Sequence, residues 1–134
     1  MLAQAVRFAI TTRATAMRAT LTIYHNPACS KSRETLALIR EHGHEPRIVE
    51  YLKTPPSEAE LTAIVRKLGI EPLDLVRRSE QVFKDKYAGK TLGPKEWIKA
   101  MVADPILIQR PIVVRDDAAA IGRPPEDVER LLKP

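Results

Sequence analysis

The order of hydrophobic patterns in this chain predicts a single α/β domain, βαβ … ββα, with a helical insertion between its halves at about 57–103. Three observations carry that expectation. Two β-rich runs, at 20–24 and 46–52, bracket a helical run. A β-branched run at 112–114 and a return at 118–121 precede one last helical run. At 134 residues, 44% hydrophobic and 29% charged, the chain is long enough for one buried core.

Each element has a local reason. Residues 20–24 alternate apolar and polar side chains and read as a strand, which Asn26 and Pro27 break with turn chemistry. From 30 to 42 the spacing becomes helical, with Leu36, Ala37, Leu38 and Ile39 as the apolar stripe and Gly43 as the stop. Residues 46–52 read as a second strand, so strand, helix and strand suggest parallel strands joined by a right-handed crossover. After Pro55 and Pro56, Ser57 and Glu60 form a capping box that opens a helix facing inward with Leu61, Ile64, Val65 and Leu68; Gly69 closes it.

The second half follows the same logic. Pro72 suits the first turn of a short helix over 73–78. Residues 79–93 are polar, and irregular structure with a solvated lysine loop (Lys84, Lys86, Lys90) is expected there. Pro94 starts a helix to about 102 with Trp97, Ile98, Met101 and Val102 inward, ended by Asp104 and Pro105. Asp116 and Asp117 read as the turn of a hairpin, and 125–132 as an amphipathic helix burying Val128, Leu131 and Leu132. The order matches a thioredoxin-like layout with extra helices between its halves.

The formal charge is +5, from 22 Lys and Arg against 17 Asp and Glu, but it is unevenly spread. Residues 1–33 hold no acid, and 1–18 hold Arg7, Arg13 and Arg18; without them the charge falls to +2. Basicity therefore argues little for nucleic acid. Residues 1–18 form an N-terminal extension to a domain at 19–134, open to three readings: a targeting peptide, an accessory helix or disordered tail, or an upstream start with Met17 as the true beginning. No apolar run approaches the roughly 20 residues that cross a bilayer. The expected state is a cytoplasmic monomer without nucleic-acid or membrane partners.

One Cys excludes an intramolecular disulfide framework, and one Cys with three His excludes an ordinary structural zinc site. His42 and His44 sit at a helix end without a third ligand nearby, so no metal site is expected. Cys29 falls between a loop and a helix N-terminus, where unpaired N–H groups favour a thiolate. Lys31, Arg33 and His25 add positive potential within four residues. A lone Cys can equally be a small buried hydrophobe, but the polar flanks of Cys29 place it off the apolar stripe. Ser32 occupies the fourth position of a would-be Cys-x-x-Cys motif, so the chain cannot close a dithiol cycle alone. The phosphatase spacing Cys-x5-Arg also fails, because Thr35 stands there and Arg33 comes too early.

Four separated segments then point one way. Residues 24–33 (YHNPACSKSR), 51–56 (YLKTPP), 104–114 (DPILIQRPIVV) and 121–126 (IGRPPE) resemble, in order, signatures of the glutaredoxin-coupled arsenate reductase family. The resemblance runs from about Leu21 to Leu132. It implies a thioredoxin-like fold and assigns the nucleophile to Cys29. It implies that arsenate is held by Arg77, Arg110 and Arg123, with Arg78 a neighbouring competitor for the first place. It implies that His25 helps to lower the thiol pKa. Arsenate oxygens suit such guanidinium forks. Pro111 is the position for the cis proline of this fold.

The resemblance further implies an oxidoreductase with no bound cofactor. Cys29 attacks arsenic, glutathione joins the adduct as co-substrate, glutaredoxin removes the glutathione as a disulfide, and arsenite leaves. A lone Cys requires such an outside thiol. Two rivals share the fold: a glutathione-dependent thiol oxidoreductase acting on another substrate, and a redox regulatory protein that binds RNA polymerase. The second tends to carry Cys-x-x-Cys, which Ser32 denies, and would not need the three arginines together; Arg123, in the Gly-Arg-Pro element, discriminates against the first.

Overall fold

The computed structural model describes residues 21–133. The readings of residues 1–18 fall outside them. Four strands form one mixed sheet: β1 (Leu21–His25), β2 (Arg47–Glu50), β3 (Ile112–Arg115) and β4 (Ala118–Ile121), in the order β2-β1-β3-β4. β1 and β2 are parallel, with Ile23 opposite Ile48 and His25 opposite Glu50. β3 runs antiparallel to both β1 and β4. The first unit is therefore βαβ, its crossover being α1 (Ser30–Glu41), and the second half is a hairpin turned at Asp116, whose φ is 53°. The thioredoxin-like α/β layout stands.

The sheet separates two cores. On one face lie Leu21, Ile23, Val113 and Ala120 with Ile39 of α1 and Val128, Leu131 and Leu132 near the C-terminus. On the other lie Ile112, Val114 and Ala119 with the helical insertion. Val113 and its neighbours Ile112 and Val114 take opposite faces, as the two-residue strand period requires. The insertion comprises α2 (Glu58–Leu68), α3 (Gln81–Lys86) and α4 (Pro94–Ala103). Ser57 Oγ accepts from the Glu60 N–H at 3.1 Å and the Glu60 carboxylate answers at the Ser57 N–H, so the capping box forms; Gly69 then takes a left-handed φ of 69°.

Several expectations need correction. Strand β2 stops at Glu50, because the Glu50 carbonyl accepts from Lys53 and Thr54 N–H in a turn. The short helix expected over 73–78 is a 3-10 turn, Pro72–Leu75; Val76 then pairs with Ile108 in an isolated bridge, leaving Arg77 outside any helix. The segment 79–93 is not wholly irregular, for it contains α3. That helix buries nothing deeply itself, but Phe83 stacks on Trp97 at 6.0 Å and Tyr87 packs on the same ring at 6.0 Å. The last helix winds as a 3-10 segment, Pro125–Leu131, yet still buries Val128, Leu131 and Leu132.

The inward face of α1 also differs from the expected stripe. Ser32 and Thr35 are fully buried beside Ile39, while Ala37 is exposed. A side chain on Gly122 would collide with Thr35 Oγ1 and meet Pro111 Cγ at 2.9 Å. Thr35 of α1 and Pro111 thus pack closely on the residue that follows β4 and directly precedes Arg123. His42 and His44 bond backbone carbonyls, of Leu38 and Leu132 respectively. Among the described residues, no helix is long and apolar enough to cross a membrane.

Candidate active site

Cys29 is the N-cap residue of α1, and its loop is built by Asn26. The Asn26 carbonyl accepts from the Cys29 N–H at 2.9 Å, and the Asn26 side-chain oxygen accepts from the Ala28 N–H at 3.0 Å. This leaves the thiol over the first turn of the helix, half-exposed. Burial pushes its pKa up, but the net displacement is downward: the Ser32 and Lys31 backbone N–H groups and the Arg110 guanidinium all favour the thiolate.

The three expected arginines converge from three parts of the chain. Arg123 spans the site, with Nε donating to the Arg110 carbonyl at 2.7 Å and Nη2 to Cys29 Sγ at 3.5 Å. Arg110 precedes Pro111 through a cis peptide bond, as expected of that position, and the Arg123–Pro124 bond is also cis. Arg77 reaches the site because the insertion is clipped to the segment before Pro111. The Arg77 N–H donates to the Leu107 carbonyl at 2.7 Å and the Gln109 N–H to the Leu75 carbonyl at 2.9 Å, flanking the Val76–Ile108 bridge. Arg78 is exposed, and Arg77 is the one turned inward.

Sequence reasoning missed Glu80. Its Oε1 lies 3.0 Å from Arg77 Nη1 and 3.6 Å from Arg110 Nη1, so one carboxylate bridges both guanidinium groups. The contact supplies charge but no aligned hydrogen bond. Arg77 Nη1, Arg110 Nε and Arg110 Nη1 remain buried donors without an acceptor among the described residues. The signal available was an acid three positions after Arg77, an ordinary spacing in a polar stretch. Arg33, nearer in sequence, donates to the Pro27 carbonyl at 2.8 Å and is exposed.

His25 is placed differently from its expected part. Its Nδ1 lies 2.6 Å from Ser32 Oγ, which also accepts from the Asn26 N–H at 3.0 Å. The Ser32 hydroxyl thus links the His25 ring to the start of the Cys29 loop. Burial lowers the His25 pKa first, with Arg33 and Arg40 adding to it against Glu50, which favours the uncharged ring. It holds Ser32, whose own N–H faces the thiol, and so acts on Cys29 through the helix end.

A thioredoxin-like α/β domain with one thiol at a helix N-terminus under inward-turned arginines is, as a class, a single-thiol protein built to meet an anion. Comparison with known proteins narrows the class. The chain belongs to the ArsC family, whose model matches residues 24–131. It is 46% identical over 112 residues to the uncharacterized protein YfgD of Escherichia coli (strain K12), covering 82% of this chain and 94% of that one. It is 45% identical over 114 residues to an arsenate reductase of Rhizobium meliloti (strain 1021), covering 84% and 81%. A solved arsenate reductase structure from Vibrio cholerae is 43% identical with a TM-score of 0.81, covering 84% of this chain and 97% of that one.

Proposed function

We propose that this protein reduces arsenate to arsenite, using glutathione as co-substrate and glutaredoxin as the thiol that completes turnover. The observation that carries the reading is the set of buried guanidinium donors, Arg77 Nη1 and Arg110 Nε and Nη1, which share one carboxylate and lack an aligned hydrogen bond beside a thiol whose pKa is lowered. Guanidinium groups only donate, so the ligand that satisfies them is rich in acceptor oxygens. Membership of the ArsC family and the arsenate reductases among its relatives support arsenate as that ligand.

The chemistry follows from the inventory. The Cys29 thiolate attacks arsenic, one arsenate oxygen leaves as water after protonation, and an As(V)–S adduct forms. Arg77, Arg110 and Arg123 hold the remaining oxygens and the charge that develops on them. A glutathione thiol displaces a second oxygen as water, giving Cys29–S–As–S–glutathione. The glutaredoxin thiolate then attacks the glutathione sulfur. The As–S bond breaks with its electron pair kept on arsenic, which becomes As(III), while sulfur is oxidised to the mixed disulfide. Water releases arsenite and returns Cys29. The single cysteine makes an outside thiol obligatory in this scheme.

The test is arsenate-dependent NADPH oxidation in a mixture of protein, glutathione, glutaredoxin and glutathione reductase. Turnover is expected for the wild type, none for Cys29→Ser, and none without glutaredoxin. Full activity in Cys29→Ser would sink the mechanism. Absence of wild-type turnover would transfer the reading to a thiol oxidoreductase acting on another substrate.

A further inference from the structure

Tyr51 is a buried polar side chain that this scheme leaves unused. It is 1% exposed, and its hydroxyl makes no hydrogen bond of good geometry among the described residues, the Asn26 side chain being its one near polar partner. Its position follows from the sheet register. Glu50, the last residue of β2, sits opposite His25, so Tyr51 comes level with Asn26, which builds the Cys29 loop. The ring packs in the core layer that also contains Val76, Ile108 and Ile112. Val76 adjoins Arg77 in sequence, and the two isoleucines flank Arg110. Nothing in that layer needs the hydroxyl. A phenylalanine would fill the same space without burying an unpaired polar group.

The buried polar atoms without an aligned hydrogen bond among the described residues are Tyr51 Oη, Arg77 Nη1, and Arg110 Nε and Nη1, and Glu80 ties the two arginines together. Tyr51 feels the charges of Arg110, Cys29 and Glu80, the groups that make up the site. Burial pushes its pKa up to about 12, with Arg110 and the Asn26 side chain pulling it back and Cys29 and Glu80 opposing that pull. The hydroxyl therefore keeps its proton at any working pH and can donate it. A tetrahedral oxyanion offers acceptors to all of these donors at once, which no single protein carboxylate in the site does.

We propose that Tyr51 is an oxyanion-binding residue, its hydroxyl donating a hydrogen bond to an oxygen of the anion held by Arg77 and Arg110. The proposal rests on the anion-binding reading of the Cys29 site. It makes the first turn after β2 part of the substrate cavity and gives the cavity a neutral donor beside its charged ones.

The experiment measures protection of Cys29 from iodoacetamide by arsenate, in the wild type and in Tyr51→Phe and Tyr51→Met. Each is paired with a thermal melt, an alkylation profile against pH without anion, and the arsenate KM. The expected result is protection of the wild type, with about tenfold more arsenate needed for half-protection of both variants and a matching rise in KM. The melting temperature of Tyr51→Phe should equal or exceed that of the wild type, and its anion-free alkylation profile should be unchanged. Equal half-protection in wild type and Tyr51→Phe overturns the proposal. So does a shifted alkylation profile with unchanged anion affinity, which would give the hydroxyl to the thiolate. A wild type that arsenate does not protect overturns the anion site itself, and this proposal with it.

Discussion

Replacing Gly122 by alanine perturbs the packing that brings Arg123 to Cys29. The new Cβ would overlap Thr35 Oγ1, approach Pro111 Cγ at 2.9 Å and Thr35 Cγ2 at 3.1 Å. Thr35 is fully buried on α1, and Pro111 is buried beside β3, so neither can swing into solvent. Overpacking of this kind costs about 1–3 kcal/mol. A cost of about 2 kcal/mol would lower the melting temperature by roughly 8 °C in a domain of this size. Two of the three close atoms belong to Thr35, so Gly122→Ala with Thr35→Ala should recover about half of the loss, a coupling of about 1 kcal/mol. Arg123 follows Gly122 directly, and kcat/KM for arsenate should fall about tenfold in the single variant, because small misplacements of binding groups are costly. The assay is a denaturation series on the four proteins of the cycle together with the coupled NADPH rate. Wild-type stability in Gly122→Ala, or strict additivity with Thr35→Ala, would refute the claim that this contact fixes the site.

Other outcomes follow from the charges. Glu80→Gln removes the carboxylate that lies on Arg77 and Arg110, groups all more than three-quarters buried at their side chains. The arsenate KM should fall about fivefold, on the order of 1 kcal/mol after allowance for solvent screening; an unchanged or higher KM contradicts the competition between Glu80 and substrate. Arg77→Ala should raise the arsenate KM at least about tenfold, the worth of one charge-assisted hydrogen bond, whereas Arg78→Ala, at an exposed position, should leave it within about twofold. Equal effects of the two would undo the placement of Arg77 in the cavity.

The first βαβ unit was readable because its signals are local. Strand alternation, the turn residues Asn26 and Pro27, and Gly43 after α1 each act within a few residues. The capping box at Ser57 and the inward residues of α2 and α4 were readable for the same reason. What could not be read was non-local. Arg77 sits where it does because Val76 bridges Ile108, more than thirty positions away, and no periodicity carries that pairing. Helix α3 is six residues long and is held by the packing of Phe83 and Tyr87 on Trp97, so its own sequence lacks a stripe. The polar inward face of α1 is set by partners from elsewhere: His25 and Asn26 for Ser32, and Gly122 for Thr35.

The site divides in the same way. Cys29 was expected from its place at a helix start, Arg110 and Arg123 from the segments that contain them, and Arg77 only from the family resemblance, with Arg78 as its competitor. The counter-ion Glu80 and the buried Tyr51 hydroxyl were not, since each acquires meaning only from burial beside the arginines. His25 shows the reverse error. Proximity in sequence suggested a positive charge near the thiol, while burial favours the neutral form of a ring that bonds Ser32.

The most direct measurement is the rate of Cys29 alkylation by iodoacetamide against pH, which reads one site because the chain has a single cysteine. Only the thiolate reacts, so the rate rises through the thiol pKa and levels off above it. Burial opposes ionisation here, and the helix N–H groups with Arg110 outweigh it. The inflection should therefore lie below the free-thiol value of about 8.5, and Arg110→Ala should move it back up. An inflection at or above that value, indifferent to Arg110, would contradict an arginine-held thiolate as the nucleophile.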